Sequence, residues 1–188
     1  MNFKQLDFPL YLDIETELNN MLAKGIIEWH GTQICLTTRP GEELNTRLGV
    51  GSLAYNWNDK IDTISSTGNI NIILPKNTSG TKETDFTILC TQFKGTMFED
   101  IYTMLMTHYN VGRFRLMKTE PKCCYTWHVD SSPRFHYPIK TQEGCFMIIE
   151  DEIKHLPAHT WWETDTVKPH TALNGSTESR IHLVGAIL

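Results

Sequence analysis

From Arg113 to the C-terminus the chain reads as one short β segment after another, and nothing else in it constrains the fold so tightly. Strand patterning covers residues 113–120, 124–130, 134–141, 145–150, 152–156, 160–165, 168–173 and 179–188. Eight short strands at a spacing of about ten residues, separated by turn pairs such as Glu150-Asp151 and Asn174-Gly175, predict a double-sheet jelly roll.

The first 110 residues carry different signals. Ile14, Leu18, Met21 and Leu22 form one apolar stripe, which predicts a helix over 10–24 with Gly25 as a left-handed cap. Thr96 and Glu99 make a T-x-x-E capping box ahead of a second stripe, Met97, Ile101, Met104 and Leu105, and Asn110 to Gly112 ends that helix. Strand candidates are 26–29, 33–38, 70–74 and 86–90, with loops over 39–69 and 75–85. Amphipathic helices need a sheet on which to bury their stripes. The expected fold class is therefore mostly β (α+β), a jelly-roll core with N-terminal helices packed on one sheet. At 188 residues a single domain is expected, with 1–110 as helical and loop support and 111–188 as the β core.

A net charge of −5 and a pI near 5.9 argue against a surface that tracks phosphates, so no nucleic-acid partner is expected. The first residues lack the basic start and apolar run of a signal peptide, and no segment reaches membrane-spanning length. A cytoplasmic protein without membrane association is the expectation, and no feature sets an oligomeric state. The five cysteines form no CxxC pair and read as reduced thiols; Cys123, Cys124 and His128 fit no common zinc spacing.

Residues 124–139, CYTWHVDSSPRFHYPI, place His128 and Asp130 two apart, and then Arg134 and His136 at the same spacing. Side chains at i and i+2 of a strand share a face, so a strand here would present an imidazole and a carboxylate together. Alone such a pair is a weak signal. Two histidines and one carboxylate on one face of a metal are the ligand set of non-haem Fe(II) oxygenases, and the second histidine would come from a distant strand. Those that bind 2-oxoglutarate also need a cation for its far carboxylate, in many cases an arginine about ten residues after the distal histidine. Ten residues beyond His155 is Asp165, beyond His159 is Pro169, and beyond His170 is Arg180; His182 runs off the chain. A guanidinium suits a buried carboxylate because it can bind both oxygens.

The strings WHVDSSPRFHYPI and PHTALNGSTESRIHLV resemble the aspartyl/asparaginyl β-hydroxylase-like branch of the Fe(II)/2-oxoglutarate oxygenases, over roughly residues 111–188. The resemblance implies a double-stranded β-helix core, cupin-like in outline. It implies that His128, Asp130 and His170 hold Fe(II), and that Arg180 grips the C5 carboxylate of 2-oxoglutarate across a hairpin turned at Asn174-Gly175-Ser176. Arg134 and His136 would contact the other end of the cosubstrate, or the substrate. O2 is then the oxidant, and the implied activity is hydroxylation of an unactivated carbon on an amino-acid side chain, free or in a peptide, with Asp, Asn or Pro as targets. A carboxylate at position 130 favours hydroxylation over halogenation.

Two rivals remain open on the residues alone. A non-catalytic jelly-roll module could keep the pocket for a metal or small ligand, and would not consume 2-oxoglutarate. A cupin-like metal-dependent hydrolase or isomerase could use the same ligands but would not need Arg180. Trp127, Val129, Phe135 and Tyr137 are expected on the face opposite the ligands. Trp161 and Trp162 read as packing anchors, Arg115 and His182 as possible pocket residues, and the loop over 49–59, with Tyr55 and Trp57, as a packed excursion or a lid.

Overall fold

A computed structural model of the chain describes residues 1–51, 62–66, 70–74 and 80–188. In chain order the regular elements are β1 (Phe3–Leu6), α1 (Ile14–Ala23), β2 (Gln33–Cys35), β3 (Thr37–Thr38), β4 (Asp62–Ser66), β5 (Ile70–Leu74), β6 (Ile88–Leu89) and α2 (Met97–His108). Then follow β7 (Val111–Thr119), β8 (Cys123–Cys124), β9 (Arg134–Lys140), β10 (Cys145–Ile149), β11 (Glu152–Lys154), β12 (Trp161–Thr164), β13 (His170–Asn174) and β14 (Arg180–Ile187).

Among the described residues these strands form an antiparallel six-stranded sheet, β1-β12-β9-β14-β7-β2, and a four-stranded sheet, β11-β10-β13-β8. The chain crosses between the two at nearly every step from β7 to β14, which is what makes a jelly roll rather than two separate meanders. The fold is the mostly β, jelly-roll architecture expected, with both helices against the larger sheet.

Alternation along the larger sheet explains its two-sided burial. Phe114, Leu116, Phe135, Tyr137, Ile139 and Leu183 join Ile14, Leu18, Phe98, Ile101 and Leu105 in one core under the helices. The intervening residues Arg113, Arg115, Arg134, His136, Arg180 and His182 point the other way and are also buried. Strands covered on both faces read as unbroken burial, as β9 does from Arg134 to Ile139.

α1 begins at Ile14, later than the stripe suggested, and leaves Leu10 and Leu12 exposed. It ends at Ala23, with Lys24 as its C-cap, and Gly25 follows at φ +65°, the left-handed conformation the cap requires. At α2 the Thr96 hydroxyl accepts from the Phe98 amide at 3.2 Å, but the box is not reciprocal. Glu99 instead accepts from the Gly95 amide at 2.6 Å, and the carboxylate of Glu17 from α1 accepts from the Met97 amide at 2.8 Å.

Several local expectations need correction. Residues 26–29 form no strand; Ile27 is buried in the helix-side core as a loop residue. The segment 33–38 splits at Leu36, because Thr37 and Thr38 leave the large sheet to pair with β6. Part of the expected loop 39–69 is strand, since β4 pairs with β5. β1, unforeseen, extends the large sheet beyond β12. Trp161 lies in the helix-side core, and Trp162 packs with Phe3, Met147, Ile149 and Leu156 in a smaller one. Tyr55 and Trp57 lie outside the described residues.

Candidate metal centre

The expected strand over 124–130 exists only at Cys123–Cys124, and the departure shapes the site. Cys124 lies opposite Leu173, so an unbroken ladder would set Trp127 opposite His170. One extra residue intervenes, and His128 pairs with His170 instead, through reciprocal amide-to-carbonyl bonds of 3.0 and 2.9 Å. An inserted residue re-aims the side chains that follow it. The irregularity also leaves Trp127 and Val129 half-buried rather than packed, whereas Phe135 and Tyr137 are fully buried as expected.

The two imidazoles lie 4.1 Å apart between ring centroids, and His170 Nε2 is 3.6 Å from Asp130 Oδ2. One ligand-type atom from each of His128, Asp130 and His170 falls within 4.8 Å of the others. His128 Nδ1 lies 2.8 Å from the Thr126 carbonyl oxygen, and His170 Nδ1 lies 2.9 Å from that of Lys168. A carbonyl can only accept, so each Nδ1 carries the proton and each Nε2 keeps its lone pair for a ligand. Burial, reinforced by the neighbouring His128, pushes the His170 pKa down to about 4, so that ring is neutral at pH 7. Burial would raise the Asp130 pKa, but the Arg134 guanidinium outweighs it and holds the carboxyl well below the usual range. Two imidazoles held by backbone carbonyls and an ionised carboxylate fit a divalent transition metal.

A cavity of about 330 Å³ opens between the sheets, with these three residues on its wall. Arg180 lies in the same cavity, 5% exposed, with His182 as its hydrogen-bonding neighbour at 2.8 Å. No carboxylate among the described residues pairs with it, and burial pushes its pKa down to about 10. The link from His170 to Arg180 is not a hairpin: β13 and β14 belong to different sheets, and the turn is a corner between them. Asn174 fixes that corner, donating to the carbonyls of Thr119 at 2.9 Å and Glu178 at 2.7 Å.

His136 is buried on the cavity wall, and its Nε2 has no partner among the described residues. Burial and the nearby Arg180 keep it neutral, as they do His182. Arg134 is already committed: its Nε donates to Asp130 at 2.9 Å, and its terminal nitrogens lie 2.7 and 2.6 Å from the two oxygens of Glu83. Arg115 lines the cavity, bonded to Gln33 at 2.9 Å through Nη1, and its buried Nε has no partner among the described residues.

Glu83 escapes a reading of the sequence. It sits in a short 3₁₀ turn within a polar loop, yet its carboxylate also takes hydrogen bonds from Ser131 at 2.7 Å and Ser132 at 3.1 Å. The one signal is Gly112, where a Cβ would lie 2.5 Å from the Glu83 carbonyl oxygen.

A model of the aspartyl/asparaginyl β-hydroxylase family matches residues 75–187, more than half the chain and well upstream of the β core. No curated protein matches. Among solved structures, a 2OG-Fe(II) oxygenase family oxidoreductase from Burkholderia pseudomallei is 12% identical with a TM-score of 0.38, covering 42% of this chain and 44% of that one. A cupin domain from Bordetella pertussis is 14% identical with a TM-score of 0.37, over 42% of this chain and 83% of that one. A viral collagen prolyl hydroxylase from Paramecium bursaria Chlorella virus-1 is 11% identical with a TM-score of 0.49, over 100% of this chain and 97% of that one. None of these structural likenesses is close enough to bear on activity. The match over residues 75–187, which takes in the H-x-D, R-x-H and distal histidine-to-arginine segments, places the chain in the aspartyl/asparaginyl β-hydroxylase family.

Proposed function

We propose that the protein is an Fe(II)- and 2-oxoglutarate-dependent dioxygenase that hydroxylates an unactivated carbon of an amino-acid side chain. The observation that carries this reading is a pairing within one cavity: a two-histidine, one-carboxylate cluster whose Nδ1 atoms face backbone carbonyls, leaving Nε2 to a metal, and a buried arginine that no carboxylate among the described residues pairs with. A cupin-like hydrolase would need the first and not the second.

In this reading His128, Asp130 and His170 hold the ferrous ion, and Arg180 pairs with the far carboxylate of 2-oxoglutarate. Iron and 2-oxoglutarate, when bound there, would supply the oxidising power for hydroxylation, with succinate and CO2 as the coproducts. The chain's own part is placement and exclusion of water. The carbonyls of Thr126 and Lys168 fix the ring orientations of the two histidines. His136, neutral and unpartnered at Nε2, is free to donate or accept at the cosubstrate's near end. Arg134, bound on three sides by Glu83 and Asp130, orients Asp130 rather than reaching for substrate.

The substrate is an amino-acid side chain, free or in a peptide. Arg115, a cationic residue in the cavity wall, favours one bearing a carboxylate, such as aspartate, over asparagine or proline. No helix among the described residues is long and apolar enough to cross a membrane. The test is a panel of free amino acids and short peptides containing Asp, Asn or Pro, assayed for succinate formed from 2-oxoglutarate with Fe(II). Acidic members should accelerate turnover most, with a mass gain of one oxygen. Absence of any 2-oxoglutarate consumption, with or without a substrate, would refute the proposal.

A further inference from the structure

Among the described residues four arginines line this cavity, Arg113, Arg115, Arg134 and Arg180, and Asp130 is the one carboxylate residue in its wall. Glu83 stands behind that wall, buried, and reaches two of them. Its contacts with Arg134 are unusually complete. Arg134 Nη1 donates to one carboxylate oxygen at 2.7 Å and to Ser132 Oγ at 3.0 Å, and Nη2 makes an ion pair with the other carboxylate oxygen at 2.6 Å. Ser131 and Ser132 donate to the same carboxylate, and Arg113 approaches it at 3.4 Å.

The consequence falls on Asp130. A guanidinium has one N–H on Nε and two on each terminal nitrogen. With its terminal nitrogens held against Glu83, the guanidinium is fixed in an orientation in which Arg134 meets Asp130 through Nε, in a single bond of 2.9 Å to Oδ2. Without Glu83, the same guanidinium could turn and take both oxygens of Asp130, in direct competition with a metal. We infer that Glu83 is a positioning residue for the metal site: by anchoring the guanidinium of Arg134 it keeps that arginine in the orientation that gives Asp130 a single bond and leaves the carboxylate available as a ligand. This rests on the proposed reading that Asp130 is a ligand. It also gives the N-terminal half a task at the site, because Glu83 is 51 positions from the arginine it holds. Gly112 is part of the same arrangement, since only a residue without Cβ lets the Glu83 backbone come so near.

The test uses Mn(II) alone, followed by electron paramagnetic resonance of the free ion, on the full chain. Glu83→Gln keeps size and one acceptor but loses the charge that holds the guanidinium. It should weaken Mn(II) binding by about tenfold or more, the range for groups that orient metal ligands. Ser131→Ala removes one hydrogen bond to Glu83 without touching its contacts with Arg134, and should leave the Mn(II) dissociation constant within about twofold. Arg134→Lys keeps the charge but not the guanidinium; adding Glu83→Gln to it should cost nothing further. Equal Mn(II) affinity in folded Glu83→Gln and wild type overturns the inference, as does an equal loss in Ser131→Ala. Circular dichroism and thermal melting accompany each titration. Should Glu83→Gln and Arg134→Lys both fail to fold, Glu83 is structural and the inference falls. If wild type itself binds no Mn(II), the failure lies instead with the proposed metal site.

Discussion

Replacing Arg180 with methionine should separate ligand binding from stability, and the two effects have opposite signs. The guanidinium is buried against His182, with no carboxylate partner among the described residues. Burial lowers its pKa from 12.5 to about 10. At about 1.4 kcal/mol per unit, folding this charge into the cavity costs on the order of 3 kcal/mol. The unfolded chain keeps the proton to higher pH, so the whole cost is present at neutral pH and fades only as pH rises through about 10. Methionine keeps most of the apolar stem and drops the charge, but forfeits the contact with His182. If about half the cost is recovered, the metal-free variant gains about 1–2 kcal/mol, or about 2–8 °C in Tm for a chain of this size. Binding of 2-oxoglutarate should meanwhile weaken by about 2–5 kcal/mol, the cost of removing one partner from a buried charge pair. That is about thirtyfold to several thousandfold in Kd. Scanning calorimetry with and without 2-oxoglutarate reads both effects at once. A variant that melts lower than wild type yet is still stabilised by 2-oxoglutarate would refute the reasoning.

Other perturbations test separate parts of the fold. Cys123 and Cys124 are exposed and should react within minutes with an aromatic disulfide at pH 8, while Cys35 and Cys90, pushed up by burial to about 11 and about 12, should stay protected until unfolding. Modification of all five thiols in the native state at one rate would contradict that burial. Thr96→Ala removes the hydroxyl that caps the Phe98 amide and should cost about 1 kcal/mol, a drop of about 2–4 °C in Tm. Gly112→Ala would press a Cβ against the Glu83 carbonyl oxygen at 2.5 Å; it should destabilise by about 1–3 kcal/mol and weaken Mn(II) binding together, whereas loss of one without the other would argue against the coupling.

The alternating strands after Gly112 are legible because each has two definite environments, the helix-side core and the cavity. Phe135 and Tyr137 on one face, and Arg134 and His136 on the other, announce both in β9. The helices are legible from stripes that all reach the same core. What escapes depends on partners distant in the chain. The inserted residue that sets His128 rather than Trp127 opposite His170 is a matter of register across strands, and periodicity within 124–130 does not contain it. β1 is short, with only Phe3 buried, so it has no alternation to read; its partner β12 makes it a strand. Glu83 looks like any polar loop residue until β9 brings Arg134 against it. The candidate ligands themselves are legible because H-x-D and the histidine-to-arginine spacing are local patterns, while the tautomers and the commitment of Arg134 are not.

The central claim is that His128, Asp130 and His170 together hold one ferrous ion beside 2-oxoglutarate. Anaerobic titration of Fe(II) into protein with saturating 2-oxoglutarate tests it most directly, by the weak visible charge-transfer band that forms when the cosubstrate chelates the metal. The account predicts a band that saturates at one iron per chain and is lost in His170→Ala, although that variant still folds. A titration without any band, or one that His170→Ala leaves unchanged, would contradict it.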